Sequence, residues 1–211
     1  MSDDKEKVVN ALGGTRGLID SGLPALVFMV SFYVTKEIRP SVTYALILSA
    51  GLALARLIKK DTIQHALSGL FGVAICAFFA TKTGKAENFY LPGLIINVVY
   101  GTLYLFLNLI KLPILGLILG PILGENLAWR KDPIRRAAYI KAGWLWVGLF
   151  FGRLAVQYPL YRAGNVDLLG IARIAMGYPL FIAVAWGSWL IIRKVPKAKN
   201  ESETETETET V

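Results

Sequence analysis

The feature that most constrains this chain is an uncharged apolar stretch at residues 89–110, FYLPGLIINVVYGTLYLFLNLI. Its 22 residues exceed the ~20 that an α-helix needs to cross the hydrocarbon core of a bilayer. Asn97, Gly101, Tyr104 and Asn108 recur at offsets of four, seven and eleven, which places them on one helical face. An amide that faces lipid has no hydrogen-bond partner, so we expect this face to point toward protein or a water-filled cavity.

Further apolar runs on both sides of this stretch predict an all-α fold, a polytopic membrane helix bundle with about six transmembrane helices. The chain has 211 residues, of which 55% are hydrophobic and only 18% are charged. The predicted transmembrane domain covers residues 22–193. Its spans are 22–34, 41–58, 63–80, 89–110, 142–160 and 168–192.

The segment LPILGLILGPILG at 112–124 differs in character from these spans. It has 13 residues, and Pro113 and Pro121 interrupt it, so it is too short and too broken for an ordinary crossing. We expect an interfacial or re-entrant element between spans four and five, inside an interfacial or cytosolic segment at 112–140. Residues 1–21 are expected to form a cytosolic lead-in, and the acidic, low-complexity residues 194–211 a disordered cytosolic tail.

Small and aromatic residues inside the spans predict how the helices pack. Two ridges of small residues suit close helix packing, namely Ala45, Ser49 and Ala53 in span two and Ser68, Gly72 and Cys76 in span three. Aromatic residues toward the ends of the last two spans are typical of an interfacial belt: Trp144, Trp146, Tyr158, Tyr161, Trp186 and Trp189.

Basic residues predict the topology of the chain. With six crossings, 16 of the 23 Lys and Arg residues fall on the side that carries both termini, and 5 fall on the other side. The positive-inside rule then gives a multi-pass protein of the plasma (inner) membrane with both termini in the cytosol. The net charge of +8 is explained by these clusters, which favour anionic lipid headgroups over nucleic acid as partners.

Two arginines fall within the predicted spans. Arg153 lies 12 residues past Lys141, about 18 Å along a helix, and Gln157 follows one turn later. Arg173 lies roughly 9 Å past Asp167 by the same rise. One interpretation is an anion or lipid-phosphate site beside the Asn97 and Tyr104 face, because the guanidinium matches phosphate geometry. The alternative is that both arginines snorkel, or bond helix-end carbonyls, Asp167 or Glu87, and fix packing.

The sequence gives no pattern for catalysis, for a cofactor or for a metal. The single cysteine, Cys76, belongs to no metal-ligand spacing. The only histidine, His65, has no second histidine or acidic partner and is expected to be an interfacial polar cap. No Asp or Glu lies inside the six predicted spans, which argues against a proton- or sodium-coupled transporter built on an acidic relay. We therefore expect no enzyme, no cofactor and no metal site.

Several motifs resemble known families over about residues 17–193. GLIDSGLPALVFMVSFYV, RLIKKDTIQHALSG, TGKAENFYLPGLIINVVYG and KLPILG resemble the bacterial intracellular septation protein A (YciB-like) inner-membrane family. TGKAENFYLPG, WRKDPIRRAAY, RLAVQYPLY and GIARIAMGYPL are more similar to a related actinobacterial integral membrane family, domain of unknown function 3159.

The first resemblance implies a non-enzymatic organiser that contacts membrane proteins of cell division or envelope maintenance. The second implies only an integral membrane protein. Homo-oligomerisation is left open. The alternative function is a small-solute or anion channel or transporter that uses Arg153 and Arg173.

Overall fold

The chain is all-helical over the residues that the structure, a computed structural model, describes: 14–58 and 63–198, with side chains described for 23–55, 57–58 and 70–198. The α-helices are α1 (Gly14–Thr35), α2 (Ile38–Ile58), α3 (Ile63–Thr83), α4 (Leu91–Leu109), α5 (Ile114–Ile122), α6 (Pro133–Arg162), α7 (Val166–Ala175) and α8 (Tyr178–Ile192). Short 3-10 helices cover Ala86–Tyr90 and Ala128–Arg130. The expectations for residues 1–13 and 199–211 lie outside the described residues, as does the His65 side chain.

Helical stretches that are long and apolar enough to cross a membrane occur at Ile38–Ala55, Ala86–Leu109 and Val166–Ile192 in the described part of the chain. Leu23–Thr35 and Leu70–Thr83 are apolar but shorter. The predicted span 142–160 is helical but less apolar, because it contains Arg153 and Gln157. The structure thus supports a membrane protein, while the number of six spans stays a prediction.

Two helix bounds differ from the predicted spans for local reasons. The predicted sixth span is broken between α7 and α8, where Gly177 is followed by Tyr178 and Pro179. Proline has no N–H to donate to the preceding helix and restricts the residue before it, so a helix tends to end at such a sequence. Helix α6 begins at Pro133, nine residues before the predicted span, and Pro at the first helical position is favourable. Part of the predicted 112–140 segment is therefore helical.

The first of two compact units comprises Met1–Ile95 and Val156–Tyr178. In its described part α1 packs on α2, α2 packs on α3, and both α1 and the first 3-10 helix contact α7. The Phe28 and Phe89 rings stack with their centroids 3.9 Å apart at the centre of this core. The predicted ridge of Ala45, Ser49 and Ala53 is buried. Gly72 of the other ridge is exposed, so the packing predicted for span three is wrong at that position.

The second unit comprises Ile96–Ala155 and Pro179–Val211. Its core contains Tyr104, Trp129, Trp146 and Phe150. Helix α5 has nine residues, so it is about 13 Å long and cannot cross a hydrocarbon core of ~30 Å. Its buried glycines lie against Trp129, which is fully buried.

Gly120 lies so close to Trp129 that a side chain does not fit there. A Cβ at Gly120 would lie 2.8 Å from the Trp129 indole nitrogen and would overlap the backbone oxygen of Asn126. We expect Gly120→Ala to lower the free energy of unfolding in detergent by about 1–3 kcal/mol, the range for overpacking. Gly148→Ala in α6 is the control, because an added Cβ there would meet no side chain and no backbone outside its own helical turn within 4 Å. Alanine also favours helix, so the free energy of unfolding should be unchanged or slightly higher. Equal melting temperatures for the two variants would contradict this packing.

Candidate functional site

The predicted polar face of α4 is buried. Asn97, Tyr104 and Asn108 are each less than 9% exposed, which confirms that this face points away from the surface of the molecule. The Asn108 side-chain amide donates a hydrogen bond of 3.0 Å to the backbone oxygen of Ile140 in α6. The Asn108 side-chain oxygen lies against Gly143, where a Cβ would overlap it. Asn108 therefore acts in close packing between α4 and α6.

The Tyr104 ring stacks on another aromatic side chain of the second unit. This ring lies parallel to that of Trp146, with an angle of 11° and centroids 5.6 Å apart. The Trp146 indole nitrogen donates a hydrogen bond of 3.0 Å to the Ser188 hydroxyl of α8. The assignment of Trp146 to an interfacial belt is therefore wrong: it is buried because it bridges α4 and α8. Trp144, Tyr158, Trp186 and Trp189 are exposed.

The remaining predicted site residues fall in different units. Arg153, like the three α4 residues, belongs to the second unit, and it has an interaction partner within the chain. Gln157 and Arg173 belong to the first unit, where Gln157 is 2% exposed and Arg173 is half-buried. The structure thus brings Asn108 into contact with α6 and leaves the proposed joint anion site of the six residues a prediction.

Arg173 packs tightly inside the first unit. Its guanidinium carbon lies 5.7 Å from the centroid of the Tyr90 ring, within the range of a cation–π interaction. The guanidinium also lies against Gly93, where even a Cβ would overlap it. The Tyr90 hydroxyl is buried and has no hydrogen-bond partner among the described residues. Arg173 is thus held by an aromatic face and by a glycine that leaves room for it.

Polar side chains at or near the ends of helices form three further contacts in the first unit. The Tyr161 hydroxyl donates a hydrogen bond of 2.5 Å to the side-chain oxygen of Asn88. The Asn88 side-chain amide in turn donates to the Thr83 hydroxyl at 2.8 Å. The Lys36 ammonium lies 3.5 Å from the Asp167 carboxylate. The ends of α3 and α6 are thus joined to the first 3-10 helix, and the end of α1 is joined to α7.

The most deeply buried ionic group is one that the sequence did not reveal. The Arg135 guanidinium pairs with both carboxylate oxygens of Glu125, and the two side chains are 2% and 1% exposed. Arg135 also donates to the backbone oxygens of Ile192 at 2.6 Å and Val195 at 2.8 Å. Glu125, Arg135 and the end of α8 are therefore joined by one guanidinium.

This cluster corrects the interpretation of the basic stretch around Arg135. We expected its arginines to anchor the topology at the membrane surface, whereas Arg135 is buried because its charge is matched inside the protein. Burial alone would lower the pKa of Arg135, but its hydrogen bond with Glu125 and the neighbouring charge raise that pKa above its ordinary value. Burial raises the pKa of Tyr139 to about 12, so its hydroxyl stays protonated and donates to Glu125 at 3.3 Å. The only sequence signal is the lone acidic residue in the apolar run GPILGENLAW.

Within the described residues no group of three His, Cys, Asp or Glu side chains is arranged to hold a metal ion. Several buried polar side chains make contacts between helices, as at Asn108 and Arg135. The arrangement is one of structural polar contacts.

Comparison with known proteins identifies the family. The family model for proteins of unknown function, DUF3159, matches residues 12–199. The chain belongs to the DUF3159 family. This membership confirms the second resemblance found in the sequence, and the resemblance to septation protein A stays a prediction. No curated protein and no solved structure matches the chain.

Removal of the Arg135 guanidinium tests the buried cluster. Arg135→Ala would leave the Glu125 charge buried and unpaired, so we expect the free energy of unfolding to fall by about 3–5 kcal/mol. The measurement is thermal unfolding of the purified protein in detergent. Arg136→Ala is the matched control, because Arg136 is less buried and its guanidinium makes a 3.4 Å contact with the backbone oxygen of Arg130 and no ion pair among the described residues. If the two variants have the same melting temperature, the cluster does not stabilise the fold.

Proposed function

We propose that this DUF3159 protein is a multi-pass plasma-membrane protein with six crossings and both termini in the cytosol. We further propose that it is a non-enzymatic organiser in cell division or envelope maintenance. Contacts between residues near the helix ends support the topology. The resemblance to septation protein A supports the biological role.

Two contacts in the first unit support the outer side of this topology. Lys36 follows the first predicted span and Asp167 precedes the last, and their side chains pair at 3.5 Å. Asn88 precedes the fourth span and Tyr161 follows the fifth, and they hydrogen-bond at 2.5 Å. A chain with six crossings has all four of these residues on the non-cytosolic side. The two contacts therefore agree with six crossings, since each one joins residues on the same side of the membrane.

A contact in the second unit supports the cytosolic side. Asn108 ends the fourth span and Ile140 precedes the fifth, and they hydrogen-bond at 3.0 Å. If residues 112–124 crossed the membrane, Asn108 and Ile140 would lie on opposite sides, as would Lys36 and Asp167. A separation of ~30 Å is incompatible with contacts of 3.0 and 3.5 Å. The short α5 is accordingly proposed to remain on the cytosolic side, as an interfacial or re-entrant element.

Outward-facing apolar residues provide surfaces for the contacts that an organising role requires. Large apolar side chains are exposed on the first unit, as at Ile47 and Phe71, and on the second, as at Val99 and Phe106. In a bilayer these surfaces are available to lipid and to other transmembrane helices. Exposed basic residues such as Lys131 would contact anionic headgroups on the cytosolic side. A homo-oligomer could use the same apolar surfaces.

Depletion of the protein in its native cell tests the organising role. We expect misplaced septa or altered cell width in time-lapse microscopy. The wild type should restore cell shape, and so should the double variant Arg153→Ala, Arg173→Ala, because the proposed role uses the helix surfaces and not these guanidinium groups. Arg39→Ala, Arg162→Ala removes two exposed arginines and controls for loss of charge.

The second candidate is an anion or small-solute channel or transporter. Arg173 favours it, because its half-buried guanidinium lies 5.7 Å from the centroid of the Tyr90 ring, and the Tyr90 hydroxyl has no partner among the described residues. Both groups can donate a hydrogen bond to an anion. In the depletion experiment, this candidate predicts normal cell shape with a growth defect that depends on external ions. Only the wild type should then restore growth, and this result would replace the organising role with transport. Anion flux in reconstituted vesicles that is lost in Arg173→Ala and kept in Arg162→Ala would then be required.

A further inference from the structure

A shallow groove in the first unit combines apolar walls with an ion pair at one end. Met29, Val30 and Tyr33 of α1 line it together with Asp167 and Ile171 of α7. Its volume of about 220 Å³ is below the ~300–1,000 Å³ of sites that enclose a drug-sized molecule, so it suits one side of an elongated apolar ligand.

The polar end of the groove carries both signs of charge. The Asp167 carboxylate lies in the first turn of α7, with one oxygen 3.5 Å from the Lys36 ammonium. The other oxygen is buried and has no hydrogen-bond partner among the described residues. Lys36 also lies 4.6 Å from the centroid of the Tyr33 ring, so its ammonium is placed over an aromatic face at the rim.

The ion pair between Lys36 and Asp167 can be replaced by ion pairs with a ligand at a small cost in stability. The Lys36 and Asp167 side chains are 61% and 39% exposed, and pairs exposed to this degree add little to stability. A ligand with an ammonium and a phosphate could pair with both residues, which would form two ion pairs where one is present. An ammonium with N–H groups can donate a hydrogen bond to the Asp167 oxygen that now faces Lys36, whereas a quaternary ammonium cannot.

We infer that this groove binds a zwitterionic phospholipid with a primary ammonium headgroup, such as phosphatidylethanolamine. The ammonium pairs with Asp167, the phosphate pairs with Lys36, and one acyl chain lies along Tyr33, Met29 and Ile171. The inference relies on the membrane topology proposed above, which puts the groove in the non-cytosolic leaflet. It does not depend on the organising role.

Lipid binding by the purified full-length protein tests the inference. Native mass spectrometry in detergent would give apparent Kd values for phosphatidylethanolamine, phosphatidylcholine and phosphatidylglycerol with identical acyl chains. We expect phosphatidylethanolamine to bind about tenfold more tightly than phosphatidylcholine, a difference of ~1.4 kcal/mol, in keeping with a hydrogen bond to a charged group. Phosphatidylglycerol should bind weakest, because it brings no ammonium to Asp167.

Three variants assign the site. Asp167→Asn should remove the tenfold preference, and Lys36→Gln should weaken binding of all three lipids. Ile171→Trp should also weaken all three, because the indole would fill the groove. Asp132→Asn in the second unit is the matched control, since asparagine caps a helix as well as aspartate does, and it should keep the preference. Helical content and melting temperature are recorded for each variant, and Lys36→Gln and Ile171→Trp decide the outcome if Asp167→Asn does not fold.

Several results would overturn the inference. Equal affinity of the wild type for phosphatidylethanolamine and phosphatidylcholine would do so, as would a preference that persists in folded Asp167→Asn. If phosphatidylglycerol bound more tightly than the other two lipids, Lys36 would bind anionic lipid and Asp167 would not bind an ammonium. Unchanged affinity in Ile171→Trp would place the bound lipid outside the groove. All of these are separate from the cell-shape experiment, so the lipid site and the organising role can fail independently.

Discussion

The structure depends on one constraint: a polar group that leaves water must find its partner inside the protein. An unpaired amide or charge in hydrocarbon costs several kcal/mol, whereas an apolar side chain loses nothing by facing lipid. In the described part of the second unit several groups follow this constraint, whereas the buried Tyr90 hydroxyl of the first unit has no partner among the described residues. Asn108 and Trp146 bond to neighbouring helices, Arg135 pairs with Glu125, and large apolar residues such as Phe106 face outward.

The buried guanidinium of Arg135 shows how this constraint links distant parts of the chain. Its partners are Glu125, on the segment after α5, and the carbonyls of Ile192 and Val195 at the end of α8. Carbonyls in the last turn of a helix have no partner within that helix, so they are natural acceptors for a cation. A single side chain thus ties a helix beginning to a helix end, as Asn108 does between α4 and α6.

The sequence predicted those features that depend on local periodicity. The buried face of Asn97, Tyr104 and Asn108 follows from helical spacing within one uncharged stretch, and the helical fold follows from the apolar runs. The ion pair of Glu125 and Arg135 was not predicted, because it requires the chain to reverse between them, and ten residues of sequence do not specify that turn. Trp146 was assigned to an interfacial belt because tryptophan near a span end is typical there; its bond to α8 depends on tertiary packing.

The central claim is a topology in which α5 does not cross the membrane and both termini are cytosolic. Cysteine labelling tests it directly, in a Cys76→Ser background with single cysteines at Glu37, Ala163, Lys131 and Lys194. Intact cells treated with a membrane-impermeant maleimide should label positions 37 and 163, and label 131 and 194 only after permeabilisation. If 131 and 194 are labelled in intact cells while 163 is protected, residues 112–124 cross the membrane and the account is wrong.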